Sequence, residues 1–317
     1  MALPTPVSRG EATPASALVS LMESDLHAGL PAGVDALAAA LRERLGDAVD
    51  AIVLYGSTRR NDDAGDGLVD LLVLVRSLSE VHGRGLAALF NRLLPPNVYY
   101  FESTVGDRTL RCKYITITSE QFRKRTAGGL DSYFWARFTQ PCRLVWQRTP
   151  EQARMLAECR ARAACHFARE AAALGPARLS AEAFWIRAIR ATYDCELRPE
   201  PPGSATTLVG RDPEFWEQLG RLVLPGIEGI EWKDSTWVVG TRHARWRWWR
   251  RRLWGRTLNV LRLMKAAGTF ANGVDYLCWK LERHSGIRIE PTERMRRHPR
   301  LAAWGLLFRL IRSGALR

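Results

Sequence analysis

Asp50-Ala51-Ile52-Val53-Leu54-Tyr55-Gly56-Ser57 and, after a loop rich in glycine, aspartate and asparagine, Leu68-Val69-Asp70-Leu71-Leu72-Val73-Leu74-Val75 are the segments whose reading decides the fold. The first is a short apolar run that ends in Gly-Ser, which reads as a strand running into a turn. The second is almost wholly apolar and suits a strand covered on both faces. Working outward, Val34, Leu37, Ala38, Leu41 and Leu45 recur at helical spacing, and Gly46 closes that helix. A second helix is expected from Val81 to Leu94, stopped by Pro95-Pro96. Val98 to Ser103 and Leu110 to Thr118 are β-rich and flank Gly106-Asp107, which predicts a strand pair. Arg143 to Trp146 is one further short strand.

This order predicts an α+β protein. A mixed-sheet domain is expected over 31–150, behind a weakly ordered lead-in over 1–30 that carries Pro4, Pro6 and Pro14. From Pro150 the pattern becomes helical and alanine-rich, giving a helical domain over 151–240 with a short helix from Pro213 to Leu224. The last segment, 241–317, reads as basic helices: a long one from Arg245 to Lys265 and a final one from about Arg300.

The charge is unevenly spread. The chain has 317 residues and a net charge of +14, and 241–317 hold 19 of the 47 Lys/Arg but only 4 of the 33 Asp/Glu. The same segment carries 6 of the 12 tryptophans. A cationic, tryptophan-rich surface suits a polyanion, either an anionic membrane or a nucleic acid. No apolar run reaches the ~18 residues of a bilayer-spanning helix, and the N-terminus shows no basic start followed by an apolar core. The six cysteines include no Cys-x-x-Cys pair, and the six histidines show no metal-ligand spacing. A reduced, cytoplasmic chain is expected, peripheral on the inner face of the membrane.

The chemistry concentrates at the two opening segments. Gly56 lets the backbone approach a phosphate closely, and the Ser57 hydroxyl with local N–H groups can hold phosphate oxygens. Asp70 interrupts an apolar strand, where a carboxylate costs several kcal/mol unless it is paired, hydrogen-bonded or bound to a cation. A magnesium ion (Mg2+) bridging carboxylate and phosphates would satisfy it. Taken singly, Gly-Ser after a strand is a turn, and one Asp in a strand is a cap or a salt-bridge partner.

Together, Gly-Ser, a gap and an aspartate flanked by apolar residues resemble the pattern of the nucleotidyltransferase superfamily. Leu68 stands where most members carry a first acidic residue. One family departs in much the same way: the mitochondrial-type phosphatidate cytidylyltransferases, or translocator assembly and maintenance proteins. Val98-Tyr99-Tyr100, Lys113-Tyr114-Ile115-Thr116 and Thr192-Tyr193 before Glu196-Leu197-Arg198 are similar to segments of that family, in order, over roughly 50–200. The chain departs from it at Phe101-Glu102 and at Thr58-Arg59-Arg60.

The resemblance implies a nucleotidyltransferase-like fold and a reaction in which CTP and phosphatidic acid give CDP-diacylglycerol and pyrophosphate. It implies that Asp70 holds magnesium on the CTP phosphates and that Lys113 offsets phosphate charge. It leaves Glu102 and Glu196 as alternatives for a second metal ligand. Gly56, Ser57, Tyr100 and Arg198 would bind the nucleotide. Without the resemblance, Lys113 reads as a solvated residue of an edge strand, and Glu196 with Arg198 as a surface ion pair. Because the substrate is a lipid, Trp246, Trp248, Trp249 and Arg250, with Trp304 and Phe308 in the last helix, are expected to touch the membrane. Two other readings use the same residues: a nucleotidyltransferase-fold protein acting on RNA or a small molecule, and a catalytically silent lipid-surface or nucleic-acid binder.

Overall fold

The computed structural model describes residues 16–60, 63–64, 68–82, 91, 93–105, 107–196, 203–241, 244–267, 292–293 and 295. Along the chain run helices α1 (Ser16–Leu26) and α2 (Val34–Leu45), strands β1 (Val49–Tyr55) and β2 (Leu68–Val75), the short helix α3 (Leu78–His82), and strands β3 (Asn97–Val105) and β4 (Arg108–Thr118). Helices α4 (Ser119–Thr126) and α5 (Tyr133–Thr139), strand β5 (Arg143–Gln147) and the long helix α6 (Glu151–Ala172) follow. Then come strand β6 (Ala177–Leu179) and helices α7 (Ala181–Tyr193), α8 (Ser204–Gly210) and α9 (Pro213–Val223). Strands β7 (Ile230–Lys233) and β8 (Thr236–Val239) and helix α10 (Arg245–Ala267) complete the described elements.

The elements divide into two units, a sheet unit of 30–119, 197–199 and 256–317 and a helical unit of 1–29, 120–196 and 200–255. Neither unit is one continuous stretch, in contrast to the end-to-end segments expected from composition. Helix α10 begins in the helical unit and leaves it after Gly255.

In the sheet unit, strands lie in the order β3-β4-β2-β1. β1 is antiparallel to β2, β2 parallel to β4, and β4 antiparallel to β3. The mixed sheet follows from the residue types. Val69, Leu71, Leu72, Val73, Leu74 and Val75 of β2 are all buried, each such side chain worth ~1.5–3 kcal/mol. Both faces of the strand are therefore apolar, as expected for a central strand. Helix α2 has the expected bounds and packs on β1, β3 and β4 through Val34, Leu37, Ala38 and Leu41. The helix expected from Val81 to Leu94 falls largely outside the described residues, and α3 begins earlier, at Leu78.

The helical unit corrects the lead-in. Residues 16–26 form α1, whose Leu18, Val19, Met22 and Leu26 are buried. This stripe lies in a segment flanked by small and proline residues, which masked its periodicity. Helix α1 packs on α6, and α6 also packs on α5. The alanines of α6 let these helices approach closely, and in their midst Arg160 is completely buried. A three-stranded sheet, β6-β8-β7, is an addition to the expected elements. Its hairpin turns at Asp234 and Ser235, both with positive φ, the conformation a two-residue hairpin needs.

One largely buried histidine gives this unit a pH dependence. His166 on α6 packs edge-on against Trp135 at 5.1 Å, and an added Cβ at Gly128 would lie 2.7 Å from its ring. Burial pushes the imidazole down to about 4; Glu170 pulls it up, while Arg251, Arg169 and Arg247 push it further down. The folded state holds the neutral ring, whereas the unfolded chain takes a proton near pH 6.5. Stability is therefore complete above pH 6.5, falls as pH drops toward 4, and levels off below. About 2 kcal/mol should be lost between pH 7.5 and 5. Urea midpoints across that range measure it. His166→Gln should flatten the slope; equal slopes in the two proteins would remove His166 as its source.

Candidate active site

The register of the sheet builds the site. Tyr55 at the end of β1 lies opposite Asp70, Asp70 opposite Lys113 of β4, and Lys113 opposite Tyr100 of β3. Residues opposite one another on adjacent strands share a face, so these four side chains form one row across the sheet. Lys113 Nζ stands 2.6 Å from Asp70 Oδ1, and the two side chains are 27% and 22% exposed.

Directly after Tyr55 the chain bends at Gly56, where φ is +83°. A Cβ at this position would lie 2.8 Å from Asp70 Oδ2. Glycine is thus required twice, by the backbone conformation and by the carboxylate beside it. The carboxyl group is turned toward the Gly-Ser bend. Ser57 opens a single 3-10 turn over Ser57–Arg60 and is exposed. Thr58 Oγ1 donates to the Leu68 carbonyl at 3.0 Å, pinning this turn to the start of β2.

Alternation sends the neighbours of these residues to the opposite face. There Tyr99 and Tyr114 stack with ring centroids 5.3 Å apart. Burial pushes both phenols up to about 12. It does the same to the Cys112 thiol, which also feels the Asp70 charge. These groups stay protonated at neutral pH and pack the sheet. Of the tyrosines quoted for the resemblance, only Tyr100 shares the face of Asp70 and Lys113.

One register step away on the same face lie Leu68, Arg111 and Glu102. The Tyr100 hydroxyl donates to Glu102 Oε2 at 2.7 Å, and Arg111 Nε lies 3.6 Å from that oxygen. Arg111 did not figure among the expected site residues. The signal was present in Arg111-Cys112-Lys113, two cations with strand spacing, and it needed the strand's orientation to be read.

The remaining expected residues are placed as follows. Glu196 belongs to the helical unit, where its N–H donates to the Tyr193 carbonyl at 2.9 Å. Arg198, Trp304 and Phe308 lie outside the described residues. Among the described residues no three His, Cys, Asp or Glu side chains gather into a metal-binding cluster. Magnesium in nucleotide sites commonly takes one or two carboxylates, substrate phosphates and water. Asp70 would supply the one carboxylate of such a site, with its Oδ2 beside the Gly56 bend and its Oδ1 paired with Lys113.

No family model and no curated protein matches this chain.

Helix α10 carries the basic, aromatic surface. Trp246, Trp249, Leu253 and Trp254 are each about half exposed or more, and the Arg250 guanidinium sits 5.2 Å from the Trp246 ring centre. Trp248 is a correction. It is 3% exposed, packs with Ala191 and Cys195, and donates its indole N–H to the Glu170 carbonyl at 3.2 Å. Glu170 sets this phase: its carboxylate pairs with Arg247 and, at 2.8 Å, with the buried Arg251. Arg251 in turn stacks on Trp135 and Trp248. Arg251 and Trp248 thus face inward together, and Trp246 and Trp249 are left outward.

Proposed function

We propose that this protein transfers a cytidylyl group from CTP to phosphatidic acid at a membrane surface, with magnesium, giving CDP-diacylglycerol and pyrophosphate. The observation that carries this reading is the Asp70–Lys113 pair held beside the Gly56 bend. The cytidine base and the lipid acceptor come from the resemblance of the sequence. The chemistry asks little of the protein beyond position and charge. A phosphate oxygen of phosphatidate is already anionic at pH 7; it attacks the α-phosphorus of CTP, and the bond to pyrophosphate breaks. No proton has to be removed from the nucleophile, so a single carboxylate is adequate where a sugar hydroxyl would call for a base. Gly56 gives the polyphosphate close backbone approach, and Lys113 offsets its charge. Asp70 would hold magnesium, which on binding neutralises phosphate charge and polarises the reacting phosphorus.

The test is direct: protein, labelled CTP, magnesium and phosphatidate in mixed micelles, with lipid products separated. CDP-diacylglycerol supports the reading. No lipid-linked nucleotide, with either CTP or the other nucleoside triphosphates, ends it.

The composition of α10 supports the lipid half. No helix among the described residues is long and apolar enough to cross a membrane. The outward face of α10 pairs indole rings with arginines and carries no acidic residue, a composition suited to an anionic headgroup layer. Trp246→Ala with Trp249→Ala should weaken binding to phosphatidate-containing vesicles about tenfold or more, and salt should weaken the wild type. Unchanged pelleting of the double variant would return this face to a role other than membrane contact.

A further inference from the structure

We infer that Arg111 and Lys113 together form a phosphate seat on the sheet, with Glu102 as the group that holds Arg111 until the phosphate arrives. The inference deepens the proposed function, on which it rests for the identity of the substrates. The two cations occupy alternate positions of β4 and so project from the same face. Their α-carbons are separated by about 7 Å along the strand, a span that a lysine and an arginine side chain converging on one phosphate group can close. Lys113 is held by Asp70 at 2.6 Å. Arg111 is held more loosely, 3.6 Å from Glu102, with both partners 54% exposed. A pair that exposed is worth under ~1 kcal/mol, so a phosphate offering two oxygens to a guanidinium readily displaces it. Glu102 keeps its own orientation meanwhile, because it accepts the Tyr100 hydroxyl at 2.7 Å. Burial and this hydrogen bond raise the Tyr100 hydroxyl above its ordinary range, so it remains a donor.

The position also suits the missing acidic residue. Leu68 lies opposite Arg111 in the same row. A carboxylate in place of Leu68 would compete for Arg111 directly; leucine leaves the guanidinium available to an anion. The ligand is therefore a phosphate group with at least two free oxygens. Two substrates of the proposed reaction supply one: the pyrophosphate portion of CTP and the phosphomonoester of phosphatidate.

Calorimetric titration of the full chain in magnesium-free buffer separates these sources, with inorganic pyrophosphate in one arm and dihexanoyl phosphatidate in the other. Arg111→Gln should raise Kd about tenfold in at least one arm, with an unchanged circular dichroism spectrum, and the arm affected names the source. Glu102→Gln, which removes the competing charge, should bind as tightly as the wild type or more tightly. Arg108→Gln removes the same charge from a residue paired elsewhere, with Asp63 at 2.6 Å, and should change neither arm. The inference is overturned if the wild type binds neither probe, if Arg111→Gln changes neither Kd, if Glu102→Gln weakens both, or if Arg108→Gln matches Arg111→Gln. Phosphate binding is read here without turnover. A chain that binds through Arg111 yet makes no CDP-diacylglycerol would retain this seat and lose the proposed reaction.

Discussion

Asp70→Asn is expected to lower the rate of cytidylyl transfer by about a thousandfold or more, equivalent to ~4 kcal/mol of transition-state stabilisation. The substitution keeps the shape of the side chain and its place 2.8 Å from the Gly56 Cβ position. It removes the charge that would hold magnesium, and it leaves the Lys113 ammonium facing a neutral amide at the distance where a carboxylate now stands, 2.6 Å. The loss of the metal's charge falls on charge neutralisation, which is the main demand of phosphoryl chemistry with an anionic nucleophile. Vesicle binding, assigned to α10, should survive, and so should the secondary structure. Near-wild-type turnover by Asp70→Asn would show that the reacting phosphates lie elsewhere, whatever product the wild type makes.

The largest effect on stability is expected at Arg160. Its guanidinium is wholly buried and donates to the carbonyls of Phe138 at 3.2 Å, Met22 at 2.8 Å and Gln140 at 3.1 Å, and to Asp25 Oδ2 at 2.6 Å. Asp25 also accepts the Cys142 N–H at 3.0 Å and Arg143 Nη1 at 2.5 Å. One ion pair therefore ties α1, α6 and the segment after α5 together. Arg160→Ala leaves a buried carboxylate with half its compensation and three carbonyls without their donor. The cost should be about 3–5 kcal/mol, or ~10 °C in Tm for a unit of this size. Arg160→Met with Asp25→Leu removes the orphaned carboxylate but leaves Arg143 without its carboxylate partner and the three carbonyls without their donor, so it should recover only part of the loss. Chemical denaturation measures both; a loss below ~1 kcal/mol in Arg160→Ala would mean that the network contributes orientation rather than stability.

Several elements were legible because their causes are local. Helix α2 announces itself by apolar spacing and by Gly46, and the structure gives it the expected ends, Val34 and Leu45. Strand β2 likewise matches its apolar run, and α9 matches to within one residue. The misses have non-local causes. Helix α1 is stabilised by burial against α6, which its own composition does not reveal. The β7–β8 hairpin needs Asp234 and Ser235 in a left-handed conformation, where neither residue is the glycine that would have flagged it. In α10, tryptophan and arginine occur on both faces, so amphipathic spacing cannot say which face turns inward.

The amino-acid sequence by itself determined the site's ingredients: a glycine bend after an apolar strand, one acidic residue within another, and a cationic aromatic helix. Residue type and spacing act within a few positions, and that range was enough. Tertiary structure alone decided which ingredients meet. Parallel pairing of β2 with β4 sets Asp70 beside Lys113 and Leu68 beside Arg111, and a slip of one residue would send each to the other face. In the same way Glu170, remote in the chain, chose Trp248 and Arg251 for burial and left Trp246 and Trp249 outward. A buried carboxylate must be compensated, and the side chains that compensate it are known only once the chain has folded.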